Sequence, residues 1–259
     1  MSYGLYLSAA GVVGNSHRQD VIANNLANVE TTGFKRSMAM FRQRPVESIL
    51  PGQQRFSHPL LDAIGGGMLI SPTRLDLQPG NLEPTDNRLD VAIQGEGYFA
   101  VRDGDGETRL TRDGRMLIDN QGFVIAGDDT QARLLGSNQQ PIRLQGFSPA
   151  ELRIDSVGRV LRAGTSEVLA TIGVFKPMDP SAVLLPVGNA QMQIWADNTA
   201  ITPIEGVVRS GFVERSNVDP ATEMVRLIEA QRQLEANANM IRYQDQATGR
   251  LVAEVGKIG

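Results

Sequence analysis

Asp103-Gly-Asp-Gly-Glu107 sets three carboxylates within five residues, a density that could ligate calcium. An EF-hand loop requires Gly at its sixth position and Glu at its twelfth, where this chain has Thr108 and Gly114. Flanked by Val101 and Leu110, the segment reads as a hairpin turn. Gly95-Glu-Gly97 follows an apolar run, as a dinucleotide-binding glycine loop would. The third glycine would fall at Ala100, and Tyr98-Phe-Ala-Val101 continues as strand where that fold opens a helix. Asp128-Asp129, or Asp119 with Asp155, could be the paired acids of a glycosidase. No pattern sets them in a cleft, and an aromatic content of 5% is thin for a sugar-stacking groove. His17, between Ser16 and Arg18, reads as a surface or interface residue. No Gly-x-Ser-x-Gly, Walker loop or His-Glu-x-x-His occurs.

Composition points the same way. The 259 residues include no cysteine and only His17 and His58, so thiolate chemistry, a disulfide framework and a multi-histidine metal site within one chain are not expected. The 25 Lys+Arg against 29 Asp+Glu give a net charge of −4, with no bulk pull toward nucleic acid or anionic lipid. The expectation is a non-enzymatic protein without cofactor, metal or nucleic-acid partner. Absence of cysteine suits an exported chain that avoids stray disulfides, and cytosolic chains also lack it. No Lys or Arg precedes Arg18, so a cleaved secretory signal is not expected. No apolar run approaches the ~20 residues that span a bilayer, so neither is membrane insertion.

Leu5 to Val29 has a helical pattern. Leu5, Ala9, Val12, Ser16, Gln19, Ala23 and Leu26 follow alternating four- and three-residue steps and line one stripe. Gly4, Gly11 and Gly14 each weaken such a helix by up to about 1 kcal/mol relative to Ala, so it needs a partner surface. The C-terminus supplies one. Asn217 or Asp219 can cap a helix that begins at Pro220. From there to about Val255 no proline intervenes, and a helix of that length is about 54 Å long at ~1.5 Å per residue. Leu227, Leu234, Ile241, Thr248 and Val255 recur every seven residues, with Met224, Gln231, Ala238, Asp245 and Val252 at the companion heptad positions.

Between the helices, short apolar runs alternate with turn residues: Asp90–Ile93, Tyr98–Arg102, Thr108–Thr111, Met116–Ile118, Phe123–Ala126, Leu152–Ile154, Arg159–Leu161 and Val168–Phe175. This spacing predicts an antiparallel β domain. Ile118-Asp-Asn-Gln-Gly-Phe-Val and Ile154-Asp-Ser-Val-Gly-Arg-Val share an Asp-x-x-Gly turn. Residues 36–89, with Pro45, Pro51, Pro59, Pro72, Pro79, Pro84 and Gly65-Gly-Gly67, read as an extended connector with brief strands. The expected fold is mixed: an antiparallel β domain inserted between N- and C-terminal helices that pair as a coiled-coil layer. Its expected parts are a discontinuous helical assembly domain (1–32 plus 217–259), a connector (33–89) and an outer β domain (90–216).

The most specific stretch is Val21-Ile-Ala-Asn-Asn-Leu-Ala-Asn-Val-Glu-Thr-Thr-Gly-Phe-Lys-Arg36. Ile22, Leu26 and Val29 make an apolar stripe, with the amides of Asn24, Asn25 and Asn28 beside it. Asn competes for backbone hydrogen bonds, so the helix should end near Asn28, with Gly33 turning the chain and Phe34 anchoring it.

Ala23, Asn24, Asn25, Leu26, Ala27, Asn28, Thr32, Gly33, Phe34 and Lys35 match a pattern written ANNLAN…T.GFK, and the stretch resembles the N-terminal signature of bacterial flagellar rod and hook proteins. Leu89–Val101 with Leu110-Thr-Arg-Asp-Gly114 is similar to the central β segment of that family. Gly211–Asp219, which contains Ser216, Asn217 and Val218, and Met224–Arg232 resemble its C-terminal signature. Gln233-Leu234 stands where many relatives carry an aromatic after the arginine.

The resemblance implies an axial subunit exported through the flagellar type III apparatus without a cleaved signal. It also implies terminal helices that form an inner tube, an outer β shell, and partners that are further copies and neighbouring rod and hook subunits. A single β domain in 259 residues is similar to a rod subunit of the proximal or distal type. Leu5, Val12, Ile22, Leu26 and Val29 are expected to pack against Met224, Leu227, Ile228, Leu234, Ile241 and Val252. A secreted β-domain adhesin or binding module and a short hook-type subunit are the alternatives.

Overall fold

The computed structural model describes residues 2–43, 67–128, 130–178, 183–195 and 200–256. Pro45, Pro51, Pro59, Gly65 and Gly66 of the expected connector, and Asp129, lie outside the described residues. The elements run α1 (Ser2–Ala27), β1 (Ser37–Gln43), β2 (Met68–Leu75), β3 (Leu82–Pro84), β4 (Val91–Gln94), β5 (Tyr98–Arg102), β6 (Thr108–Thr111), β7 (Met116–Ile118), β8 (Val124–Ala126) and β9 (Arg133–Leu134). After a 3-10 turn at Pro149–Glu151 come β10 (Leu152–Ile154), β11 (Arg159–Arg162), β12 (Val168–Thr171), β13 (Val174–Pro177), β14 (Val183–Gly188), β15 (Gln191–Trp195), β16 (Ile201–Ile204), β17 (Val207–Ser210), β18 (Phe212–Glu214) and α2 (Pro220–Val255). Strands thus lie between two terminal helices that pack together. The chain divides into two compact units: residues 1–26, 38–73 and 220–259 form one, and residues 27–37 and 74–219 the other.

In the first unit α1 and α2 run antiparallel. Gly4 lies against the Gln244 amide, Gly11 against that of Asn237, Arg18 Nη1 donates to Gln233 Oε1 at 3.1 Å, and Asn25 Nδ2 donates to Glu223 Oε2 at 3.3 Å. Gly4, Gly11 and Asn25 therefore share one register with Gln244, Asn237 and Glu223, while Arg18 reaches three residues aside to Gln233. Ala230, which this register sets opposite Arg18, is buried. The α1 glycines, which weaken an isolated helix, are where other elements come close. A Cβ on Gly11 would lie 2.7 Å from Asn237 Nδ2, and one on Gly14 would lie 2.1 Å from Met68 Cε of β2. Phe41 of β1 stacks edge-on to His17, with the Arg18 guanidinium 5.1 Å from its ring centroid.

The second unit is antiparallel in every strand pair recorded within it. The largest sheet follows the order β14-β15-β6-β5-β9-β8-β7, with β13 joining β5 to β16. β10-β11-β12 form a smaller sheet, and β17–β4 and β18–β3 pair as ribbons. β5 explains its own composition: strand neighbours flank it and both its faces are covered, so Tyr98-Phe-Ala-Val101 is buried throughout. Side chains alternate between faces along a strand. Phe99 and Val101 accordingly enter one core with Val91, Leu134 and Val174, while Tyr98 and Ala100 enter another with Leu110 and Phe175.

The acidic sequences at Asp103, Asp119 and Asp155 fold as one repeated turn, whereas Asp128 accepts from Thr130 and Gln191. Asp119 N–H donates to Phe123 O, Gly122 N–H returns to Asp119 O, and Asp119 Oδ1 accepts the N–H groups of Gln121 and Phe123. Asp155 repeats this with Val157, Gly158 and Arg159, and Asp103 repeats it with Asp105, Gly106 and Glu107. The fourth-position glycines share φ between 82° and 85°, a conformation only Gly adopts without cost. The calcium-like segment is thus a third copy of the hairpin turn, and its first carboxylate is also bonded by Arg109 Nη2 at 2.6 Å.

Candidate functional site

Lys35, Arg112 and Glu214 come from the three sequence blocks singled out above and meet in one buried cluster of the second unit. Glu214, on β18, is 1% exposed and accepts at both oxygens. Oε1 takes Lys35 Nζ–H at 2.6 Å and the Gly80 N–H at 2.9 Å; Oε2 takes Arg112 Nη1–H at 2.9 Å. Lys35 Nζ also donates to Gln78 O at 2.8 Å, and Arg112 Nη2 to Gly95 O at 2.7 Å. The Arg112 guanidinium lies 5.2 Å from the Tyr98 ring centroid. A buried charge with its partner removed is expensive, so Lys35 and Arg112 both depend on Glu214. Two cations face one carboxylate. Burial pushes the Lys35 ammonium below its ordinary 10.5, with Glu214 pulling the other way. Burial likewise pushes the Tyr98 phenol up. Beside the cluster a cavity of about 570 Å³ opens, with Leu77, Pro79, Tyr98, Pro177 and Leu184 among its walls.

The residues before Lys35 are seated by backbone contacts. Gly33 has φ +69°, and an added Cβ would stand 2.2 Å from Asp113 N and 2.4 Å from Arg112 C, so no side chain fits. Its N–H donates to Glu214 O at 2.7 Å. Phe34 is buried. Asn217 closes the far side: Oδ1 accepts Arg36 N–H at 2.7 Å, and Nδ2 donates to Asp76 O and Gln78 O, each at 3.0 Å. Its amide is therefore committed to this junction, and α2 begins three residues later at Pro220. Val218 is buried, and Ser216 Oγ accepts its N–H at 3.3 Å.

Other signature residues divide by environment. Asn25 is fully buried against Glu223, which Arg226 also pairs. Asn28 Oδ1 accepts the Thr31 hydroxyl just past the end of α1. Ala23, Asn24 and Ala27 are exposed; Leu26 and Thr32 are half-buried.

Among the expected helix-face residues, Ile22 is buried, and Val12, Val29, Leu227, Leu234 and Ile241 are half-buried. Leu5 is 44% exposed, Met224 and Ile228 are each 52% exposed, and Val252 is 68% exposed. Within one chain, then, Leu5, Met224, Ile228 and Val252 are not buried by the α1–α2 pairing. The companion heptad line falls on Glu223, Ala230, Asn237 and Gln244, one residue before the apolar choice, because glycines and a buried Asn on α1 accept small or amide side chains there. The inward face of α1 likewise includes Gly14, Asn15, Ile22 and Asn25, in place of the Leu5–Ala9–Val12–Ser16 stripe.

No group of three or more His, Cys, Asp or Glu among the described residues is placed to hold a metal. No helix among them is long and apolar enough to cross a membrane. Arg112 and Glu214 carry no local signal of burial, since charged residues are ordinarily exposed.

Comparison with known proteins follows the same three blocks. Residues 8–35 match the family described as "Flagella basal body rod protein", residues 92–170 the "Flagellar hook protein FlgE/F/G D1 domain", and residues 209–253 the "Flagellar basal body rod FlgEFG protein C-terminal". The chain is 30% identical to the flagellar basal-body rod protein FlgG of Borreliella burgdorferi over 96% of its length and 97% of the relative's. It is also 30% identical to FlgG of Bacillus subtilis, covering 97% and 98% of the two chains. It matches the hook protein FlgE of Helicobacter pylori at 30% identity over 80% of this chain but 30% of that protein. Lys35 lies in the first matched region, Arg112 in the second and Glu214 in the third, and the chain belongs to the flagellar basal-body rod and hook family as a FlgG-like axial protein.

Proposed function

We propose that this chain is a subunit of the flagellar rod that assembles with further copies through its terminal helices and transmits torque from motor to hook. The observation that carries the reading is the division of labour on the helices. The inward face pairs α1 with α2 through small and polar residues, while Leu5, Val13, Met224, Ile228, Met240 and Val252 remain exposed. Large apolar side chains left exposed on both helices are candidates for contact with another copy, and copies related by a contact that does not close on itself form a filament. Rod over hook is supported by length, since the rod relatives are matched almost end to end. Export through the type III apparatus, residence in the periplasmic rod, and contacts with neighbouring rod and hook subunits belong to this reading. So does the division into an assembly domain (1–32 plus 217–259), a connector (33–89) and an outer β domain (90–216).

Ile228→Asp tests it. A carboxylate at this exposed position leaves the monomer folded but is buried without a partner once copies pack. The expected result is a variant with unchanged circular dichroism that fails to restore swimming in a deletion strain and gives basal bodies truncated before the hook. Normal swimming with this variant would falsify the assembly role of this face.

A further inference from the structure

We propose that residues 33–36 form a detachable clip, docked on a groove of the second unit that is complete without them. The two oxygens of Glu214 are divided between a permanent and a releasable partner. Oε2 holds Arg112, which is also anchored by Gly95 O and stacked near Tyr98, all inside the β unit. Oε1 holds Lys35 and, independently, the Gly80 N–H. When Lys35 leaves, the Arg112–Glu214 pair is electrically neutral and Oε1 keeps a donor. The groove walls, Asp76–Gly80 and Glu214–Asn217, are tied to one another without the clip, through Asn217 Nδ2 to Asp76 O and Gln78 O and through β18–β3 pairing.

The clip contributes no strand to any sheet until Ser37. It is attached by Gly33 N–H to Glu214 O, Asn217 N–H to Phe34 O at 3.4 Å, Arg36 N–H to Asn217 Oδ1 and Asp76 N–H to Arg36 O at 2.8 Å, together with the Phe34 ring, the Lys35 ammonium on Glu214 and Gln78 O, and the Arg36–Asp76 ion pair at 3.8 Å. Lys35 is the second cation on one carboxylate, in a site that disfavours its charge. It therefore binds less tightly than its distance suggests, while Arg112 stays. The clip opens by breaking these contacts, none of which involves the residues of either core of the β unit, and leaves both cores closed. This inference concerns contacts within one chain and stands apart from the assembly reading.

Hydrogen exchange on full-length Lys35→Met, which keeps the aliphatic stem, provides the test. The amides of Gly33 and Arg36 should exchange about ten- to a hundredfold faster than in the parent chain, the size that loss of a charged hydrogen bond implies. Amides of β5 and β6 should be unchanged, and trypsin should cut after Arg36 faster. Two outcomes overturn the proposal. Joint acceleration of β5, β6 and the clip, or failure of the variant to fold, would make the clip part of the same cooperative unit. Unchanged protection at Gly33 and Arg36 would remove Lys35 as its fastener.

Discussion

Gly11 of α1 lies directly against the side chain of Asn237 on α2, so close that a Cβ on the glycine would stand 3.0 Å from Asn237 Cγ. This contact fixes register as well as proximity, because glycine is the one residue that leaves room for the amide. Asn25 with Glu223 and Gly4 with Gln244 repeat the offset. A helix pair seamed by amides on glycines is held by fit more than by apolar burial, and sliding it by one turn would set Asn237 against side chains.

The chain has no cysteine of its own, which makes the register easy to measure. Gly11→Cys with Asn237→Cys should form a disulfide under mild oxidation, since the side chains approach within the few ångströms such a bond needs. Gly11→Cys with Asn239→Cys, on the exposed face, should remain reduced within the monomer. Non-reducing gel mobility reads both. Equal cross-linking of the two pairs would refute the register.

Glu214→Gln should be the most damaging conservative change in the β unit. It leaves Lys35 and Arg112 buried together without a counter-charge, and breaking a buried pair in this way costs about 3–5 kcal/mol. Urea unfolding monitored on the full chain should show a lower midpoint with an unchanged slope, the product of shift and slope giving that amount. Arg115→Gln, whose Asp113 partner is buried while the arginine is part-exposed, should cost clearly less.

Gly33→Ala combines a left-handed backbone with a Cβ driven into the Asp113 main chain. Strain of this kind costs on the order of 1–3 kcal/mol before the clash is relieved. The expected result is a lower melting temperature and faster exchange at the residue 33–36 junction. Gly104→Ala, with nothing within 4 Å of the added Cβ, should leave both unchanged.

Stability should rise and then fall across the alkaline range. Burial holds the Lys35 ammonium below its ordinary 10.5. Between the lowered folded pKa and 10.5 the unfolded chain therefore binds more protons, and stability grows with pH. Tyr98 has the opposite sign: its raised pKa means the folded chain keeps a proton that the unfolded chain releases near 10.0, so stability declines from there upward. Lys35→Met should abolish the rise and leave the decline, as read by denaturant midpoints at successive pH values.

Much of the fold is legible in residue pattern. The strand runs from Val91 to Phe175, the helix start at Pro220 and the line Leu227–Leu234–Ile241 follow from apolar periodicity and turn chemistry. The companion line does not, because a search for apolar residues selects Met224 and Val252, whereas the seam uses Glu223, Asn237 and Gln244. Those side chains are inward only because Asn25 and two glycines on the opposite helix leave space for them, a property of the pair and not of either segment. The repeated turn is half visible. Asp119 and Asp155 announce it, but the extra carboxylate of Asp105 makes the Asp103 copy look like a cation loop. The buried cluster is invisible locally, since Lys35, Arg112 and Glu214 each follow apolar or turn residues as surface charges do. Only their shared occurrence in the three matched blocks hints that they meet.

The cluster also sets a rule for recombination. Lys35, Arg112 and Glu214 lie in the three separate family blocks, so a chimera that exchanges only the middle of the chain between two axial proteins transplants one corner of a charge triangle. Unless the incoming segment supplies a donor at the position of Arg112, such a graft leaves the buried Glu214 Oε2 without its hydrogen bond. Shuffling among these proteins is therefore limited by a single buried donor that one block must offer another, however freely their outer loops and strand edges diverge.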